Sequence, residues 1–237
     1  MRTARFFVSS EWIALGAGAF SIPIGSIYKQ IVTVLRMKVG DNLSLCPNND
    51  TEIDGKIQEI TKVAILGSIV EVKAGKPLYP RVTICAAITK RDTFEWMLQK
   101  CTELGVSIFM PILTERVVKR GKDVPVRWQE IVREASEQSG RTLLPTIIEP
   151  LSLSAALVKT ANYDHKIMMH ETADKKFDRS LVRQMDKVAI FVGPEGGFSD
   201  KEVAQAVESG SELLQVGDLV LRAETAATVG AALIRLL

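Results

Sequence analysis

The sequence predicts an α/β protein in which a small β-barrel precedes a mostly parallel sheet covered by helices. Residues 1–74 contain short strand patterns separated by turn signals, with few helical patterns between them. In residues 78–237 the pattern changes to alternating strands and helices, which is typical of a parallel sheet. Two of the later strand patterns end in glycine, at Gly193 and Gly217. Because parallel strands end at one edge of a sheet, both glycine-containing loops are expected at that edge.

The strands of the first region are predicted from alternating or β-branched runs. They cover residues 5–8, 31–35, 42–46, 52–60 and 64–72. The run from Glu52 to Ile57 alternates most clearly between polar and apolar side chains. So many short strands in so little sequence predict a small barrel.

The second region has the longer apolar runs of strands that are buried on both faces. These strands are predicted at residues 82–88, 106–113, 166–169, 188–192 and 213–216. Helix patterns lie between them. Asp92 with Glu95, and Ser199 with Glu202, have the spacing of a capping box at a helix start. A further helix pattern covers residues 126–139.

The composition is that of an ordinary globular protein, with 46% apolar and 24% charged residues among 237. The net charge of +2 is small, so any RNA contact must come from local basic patches. No apolar run reaches the about 20 residues that span a bilayer, and the N-terminal segment lacks the apolar core of a signal peptide. We therefore expect a cytoplasmic protein with no membrane contact.

Cysteine and histidine are too scattered to indicate a metal site. Cys46, Cys85 and Cys101 are widely spaced in apolar patterns and are expected to be buried, reduced thiols. His165 and His170 lack the spacing of metal ligands. No metal is therefore predicted.

The glycine loop, residues 193–197, follows an apolar strand pattern and precedes the capping box at Ser199. It has neither of the glycine-rich phosphate-binding patterns, G-x-x-x-x-G-K-[ST] or G-x-G-x-x-G. Glu195 places a carboxylate where a bound phosphate would need a donor. The loop therefore favours a neutral or cationic ligand, such as a molecule with an adenine, a ribose and a positively charged sulfonium. The alternative is a tight turn that needs glycine only for its positive φ.

Basic residues follow two strand patterns at the edge where the glycine loop is expected. Lys90 and Arg91 follow the first, and Arg116, Lys119 and Arg120 follow the second. Such side chains can hold RNA phosphates at this edge. The alternative is that these charges only solvate their loops.

The end of the helix pattern at residues 126–139 is unusually polar. Gln138 and Arg141 are uncommon at a surface that binds nothing, and both are predicted to face RNA. The alternative for Arg141 is to cap the end of this helix.

Five motifs occur along the chain in a characteristic order and spacing. They are Lys100-Cys101-Thr102-Glu103-Leu104-Gly105-Val106, Thr114-Glu115-Arg116, Glu134-Ala135-Ser136-Glu137-Gln138-Ser139-Gly140-Arg141 with Pro145, the glycine loop through Phe198, and Leu221-Arg222-Ala223-Glu224-Thr225-Ala226. Together with the N-terminal Arg5-Phe6-Phe7 and with Val34-Leu35-Arg36, these motifs resemble the RsmE family of 16S ribosomal RNA uridine-N3 methyltransferases. The resemblance covers nearly the whole chain.

The resemblance implies a PUA-like, RNA-binding barrel at residues 1–74. It implies a SPOUT methyltransferase domain at residues 78–237, whose C-terminal segment forms a trefoil knot. A homodimer, S-adenosylmethionine as the cofactor, and 16S ribosomal RNA within the small subunit as the partner are implied as well. Arg5 and Arg36 are the implied RNA-binding residues of the N-terminal region.

The cofactor-binding residues implied by the resemblance lie at strand ends and in the loops that follow them. They are Met169, His170, Gly193, Glu195, Gly197, Leu214, Val216, Gly217, Leu221 and Arg222. Backbone groups near Leu214 and Leu221 would read the adenine. For His170 the alternative is a capping or packed residue.

Methylation at N3 of uridine requires a base that is held outside any stack, with N3 aligned to the methyl group. Loss of the N3 proton leaves negative charge on the uracil carbonyls, and Arg222 is predicted to stabilise it. Glu224 is the second catalytic candidate, as a general base. Its alternative is a helix cap, because a glutamate at the N-terminus of the last helix also favours the helix dipole.

The chain departs from the family pattern at Tyr28, Val117 and Asp218. The first two lie on the expected RNA side, so they bear on RNA specificity and leave the cofactor site intact. Two other functions remain as alternatives: a non-catalytic SPOUT protein that binds RNA or the ribosome, and a transfer RNA methyltransferase. A non-catalytic protein would not need the intact glycine loop. A transfer RNA methyltransferase would place the methyl group on transfer RNA.

Overall fold

The computed structural model describes residues 3–116, 123–177 and 185–236. The chain divides into two compact units. The first unit is Met1–Pro77 with Ser136–Leu144, and the second is Leu78–Ala135 with Pro145–Leu237. Residues 136–144, expected in the second domain, therefore group with the first unit.

Among its described residues, the first unit has a six-stranded sheet. Its strands are β1 (Ala4–Phe7), β2 (Ile13–Ala14), β3 (Ala19–Pro23), β4 (Asn42–Cys46), β5 (Thr51–Ile60) and β6 (Ala64–Ala74). They are hydrogen-bonded in the order β1-β4-β5-β6-β3-β2, with β1 parallel to β4 and the other pairs antiparallel. Short 3-10 helices at Ser10–Trp12 and Leu15–Ala17 flank β2. Phe6, Ile22 and Leu45 are fully buried in the core of this unit.

The strand predicted at residues 31–35 is wrong. A short helix, α1 (Ser26–Lys29), continues here as a π-helix at Gln30–Val34. The β-branched residues of this segment indicated a strand. However, Ile27 and Ile31 are four residues apart, which places both on one helix face, and both pack against the core. Tertiary packing therefore overrides the β propensity of the segment.

In the described part of the second unit, seven strands form a parallel sheet. They are β7 (Arg81–Ala87), β8 (Ile108–Leu113), β9 (Thr146–Ile147), β10 (Leu151–Ser152), β11 (His165–Met169), β12 (Lys187–Val192) and β13 (Glu212–Leu214). The strand order is β10-β8-β7-β12-β11-β13, and β9 also pairs with β8. Each of these pairings is parallel, so the predicted α/β fold with a parallel sheet is confirmed. The C-terminal strand ends meet at one edge.

Helices cover both faces of the parallel sheet. They are α2 (Arg91–Glu103), α3 (Val126–Ser139), α4 (Leu153–Lys159), α5 (Asp200–Glu208) and α6 (Ala223–Leu236). α2, α3 and α6 contribute to the core on one face, and α4 and α5 to the core on the other. On β7, Ile84 and Ala86 enter the first core while Cys85 and Ala87 enter the second, because successive strand side chains point to opposite faces. Over the described ranges, no helix is long and apolar enough to span a bilayer.

The two predicted capping boxes have different outcomes. Ser199 and Glu202 form the predicted box at the start of α5. The box predicted at α2 is wrong, because that helix begins earlier, at Arg91, and its N-cap is Lys90 without a side-chain cap bond. Glu95 instead pairs with Arg91, one helical turn away, at 2.8 Å.

Candidate functional site

The loops after β11, β12 and β13 lie at the C-terminal edge of the parallel sheet. β11 is the middle strand of the three, with β12 on one side and β13 on the other. Met169 at the end of β11 pairs in register with Leu214 at the end of β13. The fold therefore brings the three segments of the predicted cofactor site to one place. The residues in question are Met169, His170, Gly193, Glu195, Gly197, Leu214, Val216, Gly217, Leu221 and Arg222.

The glycine loop turns tightly between β12 and α5. The Gly197 backbone N–H donates to the Pro194 carbonyl at 2.9 Å, and Gly197 has a φ of +68°, which favours glycine. A Cβ at Gly193 would lie 3.2 Å from the ring of Phe198. Phe198 is itself buried in the core beneath α4 and α5. This ring anchors the loop to the body of the unit.

The carboxylate of Glu202 connects the glycine loop to the loop that follows β8. Glu202 is only 5% exposed, and its Oε2 accepts from the Ser199 backbone N–H at 2.9 Å. Its Oε1 accepts from the Glu115 backbone N–H, also at 2.9 Å. In addition, the Arg116 guanidinium donates to the Gly196 carbonyl. The glycine loop is thus held from the side of β8 as well as by its own turn.

Backbone hydrogen bonds join the loops after β11 and β13. The His170 N–H donates to the Leu214 carbonyl at 3.1 Å, and the Gln215 N–H donates to the Lys175 carbonyl at 2.8 Å. The Phe177 N–H in turn donates to the Gln215 carbonyl at 2.9 Å. These contacts hold the two loops side by side.

The ring of His170 has a local partner. Its Nδ1 lies 3.1 Å from the Thr172 hydroxyl and 3.4 Å from the Thr172 backbone N–H. This geometry favours the capping role that the sequence left open for His170. The ring stabilises the turn after β11.

Arg222 and Glu224 lie where α6 begins. The Arg222 carbonyl accepts the Ala226 N–H at 2.8 Å, and the Glu224 carbonyl accepts the Thr228 hydroxyl at 2.7 Å. Arg222 is exposed, whereas Glu224 is half-buried. The Arg222 guanidinium is therefore accessible to a molecule bound at this edge of the sheet.

Gly230 allows α6 to pack closely on the end of β11. A Cβ at Gly230 would lie 2.5 Å from the Cε of Met169 and 3.4 Å from Ile190. The sequence prediction did not include Gly230. The sequence does indicate it, because Gly230 interrupts an otherwise regular helix pattern. Such a glycine often marks a place where another part of the chain packs closely against the helix.

The two basic residues after β7 lie at the same edge of the sheet. Lys90 is exposed and is the residue before α2. The Arg91 side chain is 70% exposed and pairs with Glu95 of the same helix. Both are accessible to a polyanion.

The remaining basic residues predicted for the second unit follow β8. Arg116 is exposed and contacts the glycine loop as described above. Lys119 and Arg120 lie outside the described residues, as does Val117.

Arg5 and Arg141 have partners within the first unit. The Arg5 guanidinium pairs with the Glu52 carboxylate at 2.6 Å and donates to the Arg141 carbonyl at 3.3 Å. The Arg5 side chain is only 13% exposed. The Arg141 Nε donates to the Leu143 carbonyl at 3.1 Å. Both arginines therefore have contacts within this unit; the sequence indicated a structural role as the alternative for Arg141 but not for Arg5.

Arg36 and Gln138 are exposed on the first unit. Arg36 follows the π-helix and has a φ of +53°. Next to Gln138, the Glu137 carboxylate accepts the Phe7 backbone N–H at 3.1 Å. In the polar motif at the end of α3, Glu137 therefore forms a hydrogen bond within the unit, and Gln138 lies at the surface.

Two of the residues that depart from the family pattern bind their neighbours. The Tyr28 hydroxyl donates to the Thr61 carbonyl at 2.6 Å. The Asp218 carboxylate pairs with Lys176 at 2.6 Å, and this hydrogen bond lowers the pKa of Asp218 below its usual value. Lys176 thereby connects the loop after β11 to the segment before α6.

The groups around these loops fit S-adenosylmethionine. A Cβ at Gly217 would meet no atom within 4 Å, so the backbone there is open to a ligand. Leu219 and Val220 are 81% and 75% exposed nearby in the chain and offer apolar surface to an adenine. Glu195 is exposed in the glycine loop and supplies a negative charge suited to a sulfonium. Among the described residues, no group of His, Cys, Asp and Glu side chains is arranged to hold a metal ion.

Comparison with known sequences identifies similar RNA methyltransferases. A family of RNA methyltransferase domains matches residues 76–235. The ribosomal RNA small subunit methyltransferase E of Bacillus subtilis is 31% identical over 223 residues, which cover 89% of this chain and 87% of that protein. The protein of the same name from Rickettsia conorii is 30% identical over 213 residues, covering 87% and 85%.

Comparison with solved structures identifies proteins of the same fold. A methyltransferase from Legionella pneumophila, solved with its bound cofactor SAM, has a TM-score of 0.88 and 30% identity, and the match covers 100% of this chain and 98% of that one. Ribosomal RNA small subunit methyltransferase E from Neisseria gonorrhoeae, bound to S-adenosyl methionine, has a TM-score of 0.87 and 26% identity, with coverage of 98% and 96%.

Proposed function

Because the chain belongs to the ribosomal RNA small subunit methyltransferase E family, we propose that it transfers a methyl group from S-adenosylmethionine to N3 of a uridine in 16S ribosomal RNA. The observation that carries the proposal is the meeting of the β11, β12 and β13 loops at one sheet edge in a chain of this family. The similar structures solved with the same cofactor support it.

The proposal includes the architecture implied by the sequence resemblance. The first unit would be a PUA-like barrel that binds RNA, and the second a SPOUT domain with a C-terminal trefoil knot. The position of α6 supports a knot. Although α6 follows the edge strand β13, it packs against α2 and against the central strands β7 and β12.

The chain binds the cofactor mainly through its backbone in this proposal. S-adenosylmethionine supplies a methyl group made electrophilic by the attached sulfonium. Residues at the ends of β13 and before α6 surround the adenine, Leu214 and Leu221 among them. The exposed carboxylate of Glu195 stabilises the positive charge, and Gly193 and Gly197 let the glycine loop turn tightly beside the ligand.

The chain's own contribution to the reaction is positioning and charge stabilisation. The target base is held outside its stack so that N3 faces the methyl group. As the N3 proton leaves, negative charge develops on the uracil carbonyls. The exposed guanidinium of Arg222 donates hydrogen bonds to this charge. Glu224 lies two residues further along the same motif and is the second candidate, as a base for the N3 proton.

RNA binding is assigned to exposed residues on each unit. On the second unit, Lys90 and Arg91 bind phosphates at the edge where the target base must arrive. On the first unit, Arg36 and Gln138 are the exposed candidates. Arg5 and Arg141 stabilise the first unit through their hydrogen bonds within it.

The proposed function is tested by transfer of label from S-adenosylmethionine with a radioactive methyl group to small ribosomal subunits that lack the modification. We expect label in 16S ribosomal RNA, and nuclease digestion followed by mass spectrometry should identify 3-methyluridine. Subunits that already carry the modification are the matched control and should accept no label.

Two results would contradict the proposal. Label in transfer RNA instead of ribosomal RNA would indicate a different substrate. RNA binding without transfer of label to either RNA would indicate a non-catalytic protein.

A further inference from the structure

We infer that Arg116 is a positioning residue of the glycine loop and that it acts on cofactor binding instead of holding RNA phosphates. This inference rests on the proposed function, because it assigns S-adenosylmethionine to the loops after β11, β12 and β13. It differs from the sequence-based expectation, which grouped Arg116 with the RNA-binding residues.

The first support is the contact between Arg116 and the glycine loop. The guanidinium donates to the carbonyl of Gly196, the fourth residue of the loop. The Arg116 side chain also runs along the loop, since its Cδ would be 3.5 Å from a Cβ at Gly196. A hydrogen bond from an ionised donor is stronger than one between neutral groups. It can therefore hold a short glycine-rich segment in one conformation.

The second support is the hydrogen bond that holds the residue before Arg116. The neighbouring Glu115 N–H donates to the buried Glu202 carboxylate at 2.9 Å. The other oxygen of Glu202 caps α5 at Ser199, also at 2.9 Å. One buried carboxylate thus fixes both the base of Arg116 and the end of the glycine loop. A loop that is already in its bound conformation binds a ligand more tightly, because less ordering is needed on binding.

The surroundings of Arg116 disfavour a phosphate contact. Its guanidinium already donates to a backbone carbonyl, that of Gly196. Glu115 precedes Arg116 in the chain and Glu195 precedes Gly196 in the glycine loop, and both are exposed. A phosphate at this position would meet these negative charges. Arg91, in contrast, pairs with Glu95 of its own helix.

The test is calorimetric binding of S-adenosylmethionine to the full chain in the absence of RNA. Arg116→Ala should weaken the affinity about tenfold, the scale expected for losing one charge-assisted hydrogen bond. Arg91→Ala removes the same charge from the same edge of the sheet and is the matched control, with an expected change of less than about twofold. Arg116→Lys keeps the charge but lacks the planar guanidinium, and should restore only part of the affinity.

Glu202→Gln is the second variant and tests the connection through the buried carboxylate. The amide NH2 group would face one of the two backbone N–H donors, so one hydrogen bond is lost. We expect weaker binding of S-adenosylmethionine together with a lower melting temperature. Arg116→Ala, which changes an exposed side chain, should keep the wild-type melting temperature.

Kinetics and RNA binding separate positioning from phosphate contact. Arg116→Ala should raise the KM for S-adenosylmethionine and leave kcat close to the wild-type value. RNA affinity and its salt dependence should not change. If Arg116→Ala instead keeps wild-type affinity for S-adenosylmethionine, loses RNA affinity and shows a salt slope that is smaller by about one, the residue is a phosphate contact and the inference is wrong. If the wild-type chain binds no S-adenosylmethionine, the proposed function fails, and the inference fails with it.

Discussion

The thiols of Cys46, Cys85 and Cys101 show how burial controls the chemistry of single residues in this protein. Each is buried and free, as predicted from the sequence. Burial raises the pKa of Cys46 to about 11 and that of Cys101 to about 12. The pKa of Cys85 is raised as well, also by burial. The three thiols therefore remain protonated at neutral pH and are poor nucleophiles.

We predict that the native protein reacts very slowly with a thiol-reactive disulfide reagent at about pH 8, whereas the chain in guanidinium chloride reacts rapidly. The folded pKa values lie above the unfolded value of about 8.5. The contribution of the protonated thiols to the free energy of unfolding is therefore fully present below about pH 8.5. It is lost as the pH rises toward the folded values. Absorbance after mixing measures the reaction, and a native thiol that reacts as fast as a free cysteine would contradict the prediction.

Arg222 is predicted to act on the transition state of methyl transfer. Arg222→Ala should lower the single-turnover rate by about 10²-fold with saturating cofactor, the scale expected for loss of one donor to a developing negative charge. RNA affinity should change little. Lys90→Ala is the comparison variant. It should weaken RNA binding, reduce the salt dependence of that binding, and leave the rate at saturating RNA unchanged. Loss of RNA affinity alone in Arg222→Ala would show that this residue positions RNA.

Helices and strands with a clear local sequence pattern were predicted correctly. Those that depend on contacts between residues far apart in the sequence were not. The helix predicted at residues 126–139 agrees with the observed α3, Val126–Ser139, because its apolar periodicity is clear. The segment at residues 31–35 was predicted as a strand from its β-branched residues, but packing of Ile31 against the core favours a helix. The start of α2 was displaced for a related reason, since Glu95 pairs with Arg91 instead of capping the helix.

The C-terminal end of α5 depends on a lysine from a neighbouring strand. Lys166 of β11 is buried, and its ammonium donates to the carbonyl of Ser209, the C-cap residue of α5. Lys166→Met keeps the apolar stem and removes the charge. We expect the free energy of unfolding to fall by about 1–2 kcal/mol, because a charge-assisted hydrogen bond at the negative end of a helix dipole is lost. Urea denaturation measures the change.

Lys201→Met is the control for this prediction. Lys201 is exposed in the first turn of the same helix, so its replacement should change the free energy of unfolding by less than about 0.5 kcal/mol. Equal effects of the two substitutions would show that the buried ammonium does not stabilise the helix end.

At the scale of the whole molecule, the sequence predicted that the loops of the candidate site lie at one sheet edge, but it did not predict the contacts that hold these loops. Strands that end in glycine identified the loops at Gly193 and Gly217, and a parallel sheet brings such loops to one edge. The contact between Glu202 and the Glu115 backbone joins residues 87 positions apart, and no local pattern indicates it. The hydrogen bond from Arg5 to the Arg141 carbonyl spans 136 positions. Such contacts depend on the fold and cannot be read from spacing.

The surface of α6 indicates the assembly of the whole chain. Ala227, Gly230, Ala231 and Ile234 of this helix are buried in the core of the second unit. Ala223 and Ala226 pack against the same core, whereas Leu233 is only half-buried and Leu236 is 70% exposed. A helix that is apolar on more than one face is expected to bury its second face against another surface. A second copy of the chain would cover it, in agreement with the homodimer implied by the sequence resemblance.

We therefore predict a homodimer that depends on α6. Light scattering after size exclusion, at micromolar concentration, should give twice the 26.1 kDa mass of one chain. Leu236→Glu places a charge on the proposed interface and should shift the protein toward the monomer, because burying an unpaired carboxylate opposes association. Val158→Glu is the matched control, since Val158 is 76% exposed on α4, which packs on the other face of the sheet. A monomeric mass for the wild-type chain, or equal dissociation by both substitutions, would show that α6 is not the interface.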